Sequence, residues 1–304
     1  MNTNIYKQTN NNVFKTWIYF LVFALLLSLV GFILATIFQN ATFLYIGFLF
    51  AIGTNIYSYW FSDKMVLSMA GARAVEAGEY PELVAMVTDL SLKADLPLPK
   101  IYIMNDPSPN AFATGRNKYH SAIAFTTGIL ALLDKDELAG VAAHELAHIA
   151  NRDTLIMTVV AVMASVITLV ANFGMHFTNN KNENSNVILN ILGFVFVLVL
   201  APLAATIVQM AISRKREFFA DASAADLTNY PLGLANALKK ISNFPIGLQD
   251  PNTAIAHLFI SDPFKSEGYD DENHNHINQT TPWYAKLFMT HPPVDERVKA
   301  LLGE

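Results

Sequence analysis

Not one of the 304 residues is cysteine. That excludes disulfides and thiolate metal ligands, leaves only His, Asp and Glu to hold a metal, and fits a reducing compartment. Charge is scarce as well, at 15% of residues, where a soluble domain carries about a quarter. A net charge of -5 and a pI near 5.9 leave no broad basic surface for phosphate backbones, so nucleic-acid binding is excluded as a reading. What is abundant is apolar sequence, with 53% hydrophobic residues and a mean hydropathy of +0.32. Part of the chain is expected to lie in a lipid bilayer.

Charge disappears altogether from Thr16 to Ser62, a stretch long enough for two spans of about 20 residues, with Gln39 and Asn40 placed where the chain can turn. The apolar core is too long for a signal peptide, so the first span is expected to remain as an anchor. Two more uncharged runs, Thr154 to about Phe173 and Val187 to about Ile212, flank the polar "NNKNENSN". Four transmembrane helices follow from this count. Lys7, Lys15, Lys64, Arg73, Arg152, Arg214, Lys215 and Arg216 lie beside the spans on one side, whereas the short hairpin loops carry only Lys181. By the positive-inside rule both termini and both larger polar segments are cytoplasmic. The implied organisation is a transmembrane hairpin (1–61), a first polar part (62–153), a second hairpin (154–212) and a second polar part (213–304).

Within the first polar part, "SDKMVLSMAGARAVEA" and "PELVAMVTDLSLKADL" have helical apolar spacing. "KIYIMN" and "SAIAFTT" read as strands, and "PSPNAFATGRNKYH" between them as turns with a short strand. "LDKDELAGVAAHELAHIANRD" reads as a helix, with Asp134 as N-cap and Glu137 three residues on. The fold class is mainly α with a small β-sheet.

That helix carries His144, Glu145 and His148, the pattern H-E-x-x-H. One helical turn separates the histidines, so both rings project toward a common point, with Glu145 beside them as a general base. A catalytic zinc needs a third protein ligand and an open position. Glu217, just after the fourth span, is the best candidate, and Asp221, one turn later, can accept a hydrogen bond from a ligand histidine. If both flanking helices ran straight on from their spans, the ligands would stand roughly 8 to 9 Å beyond the apolar boundary at one height.

Together these residues resemble the HtpX-type membrane metalloproteases, relatives of the CAAX prenyl endopeptidases. The resemblance is carried by the N-terminal double span, "SPNAFATG" at 108–115, "HELAH" at 144–148, the second double span, "SRKREFFAD" at 213–221 and "THPP" at 290–293. It implies a zincin-like catalytic domain on the cytoplasmic face of a bacterial inner membrane. It also implies one zinc held by His144, His148 and Glu217, and hydrolysis of damaged or misfolded membrane proteins. Phe218 stands where the family commonly has tyrosine, which leaves the ligands untouched.

Other residues are assigned by chemistry. His291 and Arg297 are candidates for a second electrophile at the oxyanion, a role the resemblance strengthens, beside the alternative of a capping histidine and an arginine paired to a carboxylate. Asn110, Ala111, Phe112 and Ala113, or the strand Ser121–Thr127, are candidates for pairing with an extended substrate, beside the alternative of a tight turn at "NAFATG". Asp153 is expected as an interfacial carboxylate rather than a partner of the metal ligands, and His257 as a packing or capping residue. Asp270, Asp271, Glu272, His274 and His276 are expected to be a solvated run, and Pro202 to kink or pack its span. The rival to a protease is a membrane scaffold or chaperone-like adaptor with a structural zinc, which would fill the fourth position and would not need Glu145.

Overall fold

The computed structural model describes residues 2–178, 213–264 and 292–303. The fourth apolar run, with Pro202, and the run 266–281 lie outside the described residues.

The chain opens with two long helices, α1 (Asn2–Ile37) and α2 (Thr42–Met69), packed as a hairpin. The turn falls at the expected place: Gln39 takes a left-handed φ of 49° and the Asn40 side chain accepts a hydrogen bond from Thr42 N. Gly31 and Gly47 let the two backbones touch, since a Cβ on Gly31 would stand 2.8 Å from the Phe43 carbonyl oxygen. Outward faces of both helices expose Leu21, Leu25, Leu29, Phe32, Ile46 and Leu49, whereas Thr54, Ser58 and Ser62 are buried. A broad apolar outer surface, with hydroxyl side chains buried on α2, is the reverse of a soluble hairpin. Among the described residues one unbroken helical stretch, Asn12–Thr36, is long and apolar enough to cross a bilayer, with a mean hydropathy of 2.8, and Lys135–Ala150 with Asp153–Leu169 passes the same test only as a pair bent by 84°.

A small mixed sheet follows, from β1 (Arg73–Ala74), β2 (Lys100–Met104), β3 (Ala111–Asn117) and β4 (His120–Thr126), in the order β1-β2-β4-β3. β2 and β4 are parallel; the outer pairs are antiparallel. The helix expected over 62–77 is corrected: it ends at Met69, Gly71 turns the chain with a φ of 61°, and Arg73–Ala74 joins the sheet. α3 (Pro81–Lys93) begins at Pro81, whose missing N–H is no loss in a first turn. α4 (Thr127–Leu132) leads into α5 (Lys135–Ala150).

α5 starts with a complete capping box: Asp134 accepts from the N–H groups of Asp136 and Glu137, while Glu137 accepts from Asp134 N. From Gly140 to Ile149 every residue of α5 is buried, as for a helix packed on all sides. The sheet and α3 cover one side, and α7 (Arg214–Thr228) and α8 (Pro231–Asn243) the other. Gly140 permits the closest approach, because a Cβ there would meet Leu234 N at 2.6 Å. A 3-10 turn (Ala256–Leu258) and α9 (Val294–Leu302) complete the description.

α6 (Asp153–Thr178) carries the third apolar run. It does not continue α5. The two helices meet at 84°, with Arg152 in the left-handed region at a φ of 56°. α6 then packs on α1 through Phe20, Phe23, Leu27, Ile156, Val160 and Met163. The expected straight run from motif into span is thereby corrected.

Candidate metal centre

His144 and His148 lie one turn apart on α5, and both are buried. Their Nε2 atoms are 3.1 Å apart. Glu217, in the first turn of α7, brings Oε2 to 3.8 Å from His144 Nε2 and Oε1 to 3.6 Å from His148 Nε2. One donor atom from each of the three lies within 4.8 Å of the others. Glu145 is buried on the same helix, between the two histidines in sequence.

The other ring nitrogens face carboxylates. His144 Nδ1 is 2.9 Å from Asp221 Oδ1, and His148 Nδ1 is 3.1 Å from Asp153 Oδ2. A carboxylate that accepts from Nδ1–H fixes the tautomer and turns the Nε2 lone pair toward the opposite side. Two lone pairs and a carboxylate thus converge on one point. Such a cluster repels itself unless a cation or proton sits within it. Separations of 3.1 to 3.8 Å suit the edges of a tetrahedron around an ion with bonds of about 2.0–2.2 Å. Two imidazoles and one carboxylate are also a known donor set for catalytic zinc, so the residues present fit the metal.

The electrostatics split the two rings. Burial, only partly offset by the hydrogen bond to Asp221, pulls His144 down to about 4. Burial also opposes charge on His148, but the hydrogen bond to Asp153, then the charges of Glu217, Asp153 and Glu145, outweigh it and raise it to about 9. In the metal-free protein His148 holds the proton.

Arg297, on α9, is fully buried, and its fork faces Asp221: Nε donates to Oδ2 at 2.8 Å and Nη2 to Oδ1 at 2.6 Å. Its Nη1 stands 4.0 Å from Glu217 Oε2. Burial alone would raise Asp221, yet the bonds from Arg297 and His144 hold it below the usual carboxylate range. Of the two readings of Arg297, the geometry takes pairing with a carboxylate, because the fork is already engaged behind His144. His291, its proposed companion, lies outside the described residues, as do Asp270, Asp271, Glu272, His274 and His276.

Two expectations about the strands are corrected. β4, which contains most of Ser121–Thr127, is paired on both sides and offers no edge to a substrate. "NAFATG" is strand rather than turn, but Asn110, Ala111, Phe112 and Ala113 are buried. Asn110 Nδ2 donates to Ser261 O at 3.0 Å, Ile260 N donates to Ala111 O at 3.0 Å, and Phe112 packs edge-on against Phe259 at 5.1 Å. The segment around 260 thus meets β3 through one backbone hydrogen bond at Ala111, while β3 remains at the edge of the sheet.

Asp153 is the main residue that sequence reasoning placed wrongly. It is 1% exposed, and besides His148 it accepts from Arg216 Nε at 3.0 Å and from Asn12 Nδ2 at 2.7 Å. Its position after "HIANR" was the available signal, but only the elbow at Arg152 turns it back toward His148. His257 is buried, with Nε2 donating to Met157 O at 3.0 Å, the packing role expected.

A family model described as peptidase family M48 matches residues 78–304. Among solved structures, the crystal structure of S. mikatae Ste24p is similar, with a TM-score of 0.48 and 19% identity. The alignment covers 94% of this chain and 66% of that one, so the chain spans slightly less than two thirds of that protein's length.

Proposed function

Because the chain belongs to peptidase family M48, a family of metallopeptidases, we propose that it is a membrane-embedded zinc endopeptidase. The observation that carries this reading is the convergence of His144, His148 and Glu217, each histidine backed by its own carboxylate. One zinc per chain would be held by these three side chains. Bound there, it supplies Lewis acidity that activates water and polarises the scissile carbonyl.

The rest of the chemistry belongs to the chain. Glu145 takes the proton of the attacking water and delivers it to the leaving amine. Asp221 and Asp153 hold the two imidazoles, and Arg297 holds Asp221. A structural zinc in a scaffold would leave Glu145 without this task.

We assign the same four-part division at 61, 153 and 212, with four spans and the active site and both termini on the cytoplasmic face of a bacterial inner membrane. The lipid-facing apolar surface of α1 and α2 supports the first hairpin. As the resemblance to the HtpX-type metalloproteases implies, the substrates we assign are polypeptides, foremost misfolded or damaged membrane proteins. Purified protein loaded with zinc in detergent should cleave an unfolded protein, and Glu145→Gln should bind zinc normally yet lose at least about a hundredfold in rate. Retained proteolysis in that variant would overturn the mechanism.

A further inference from the structure

Asn12 lies near the start of the first apolar helix, 141 positions before Asp153, yet it is 5% exposed and spends both hydrogens of its carboxamide beside the metal centre. Nδ2 donates to Asp153 Oδ1 at 2.7 Å and to the Asn151 carbonyl at 3.0 Å. These two acceptors flank Arg152, the residue at which α5 breaks into α6. The other oxygen of the same carboxylate faces His148 Nδ1. An unbroken chain of contacts therefore runs from α1 through Asp153 to a ligand ring.

The geometry points to Asn12 as a positioning residue of the metal centre: the anchor helix is a working part of the site, holding Asp153 against His148 by its carboxamide. The inference rests on the metal reading above. Three features carry it. A carboxylate can rotate about its last bond, and each oxygen pinned removes that freedom; Asn12 and Arg216 share Oδ1, leaving Oδ2 for the imidazole. The bond to Asn151 O satisfies a carbonyl at the C-terminal end of α5 while fixing the elbow that sets where Asp153 stands. Finally, α1 is itself seated by Phe20, Phe23 and Leu27 against α6, so Asn12 is presented from a fixed surface.

Metal affinity separates this role from general packing. Zinc binding of the full chain in detergent would be measured by competition with a chromophoric chelator, together with the visible spectrum of the cobalt form and the melting midpoint of the apoprotein. Asn12→Leu should weaken zinc about ten- to a hundredfold and shift the cobalt bands, as losses behind a ligand do. In an Asp153→Ala background the same change should alter affinity by less than about twofold, because the residue through which it acts is gone. Leu83→Ala, a core truncation in α3 that has no part in seating α1 and does not touch Asp153, should lower the melting midpoint and leave zinc affinity within about threefold of wild type.

Should Asn12→Leu not fold, Asn12→Asp keeps the size, removes the donor and sets a like charge against Asp153; it should weaken zinc at pH 8 at least as much. Wild-type affinity in the folded variants, an equal loss in the Asp153→Ala background, or failure of both variants to fold would overturn the inference. A wild type whose zinc is unaffected by Glu217→Ala would instead sink the metal reading itself.

Discussion

Arg297 and Asp221 meet fork to fork in the interior, 76 positions apart, and the carboxylate they share with His144 makes the C-terminal helix part of the metal centre. Both side chains are buried, so the pair is worth most to stability through what its loss exposes. Arg297→Ala would strand a buried carboxylate, and breaking such a pair costs about 3–5 kcal/mol. The expected result is a lower unfolding midpoint in denaturant together with zinc binding weakened about ten- to a hundredfold. Arg297→Lys restores charge but not the two parallel bonds, and should recover only part of both. If Arg297→Ala kept normal zinc affinity and stability and lost only turnover, the residue would act on the oxyanion after all.

Glu217 and Asp221 sit one turn apart on one helix and predict different losses. Without Glu217 only two imidazoles remain, so Glu217→Ala should carry no zinc after gel filtration, by elemental analysis. Asp221→Ala keeps three donors and should retain zinc with affinity lowered about ten- to a hundredfold. One zinc per chain in Glu217→Ala would place the third ligand elsewhere.

Much of this site is legible in the sequence because it is local. His144 and His148 are neighbours through helix periodicity alone, and Asp221 follows Glu217 by the same rule. Asp134 and Glu137 mark the start of α5 by chemistry that needs no partner from far away. Arg73–Ala74 was misread because periodicity continues past Gly71, while the glycine's positive φ ends the helix. Asp153 and Asn12 were out of reach for a stronger reason. Their roles depend on an 84° elbow and a contact across 141 positions, neither of which leaves a periodic trace. The same holds for the hydrogen bond from Ile260 N to Ala111 O, which brings a remote segment onto β3 without a periodic signal.

The orientation of the chain predicts a labelling pattern. In this cysteine-free background, single cysteines introduced at Asn40, in the exposed turn of the first hairpin, and at Lys93, at the exposed end of α3, report the two sides. Asn40→Cys should react with an impermeant thiol reagent added to intact cells, and Lys93→Cys only after permeabilisation. Equal labelling of both from outside would remove the active site from the cytoplasm, and with it the proposed pool of substrates.

The raised proton affinity of His148 gives zinc binding a pH dependence of known sign. With the folded-state pKa near 9 and an ordinary histidine at 6.5, the protonated ring stabilises the apoprotein fully below about pH 6.5, and that contribution fades as pH rises through about 9. Zinc needs the neutral ring, so it competes with this proton, and each pH unit below about 9 should lower apparent affinity by up to about tenfold. His144, pulled down to about 4, is already neutral over the same range and adds no slope. Between pH 8 and pH 6 the wild type should therefore lose about a hundredfold in affinity by chelator competition. Asp153→Asn removes the charge that holds the proton on His148, and should lose less than about tenfold over the same interval even though its affinity at pH 8 is lower. A flat wild-type profile, or an unchanged slope in Asp153→Asn, would show that the proton is not held between these two residues.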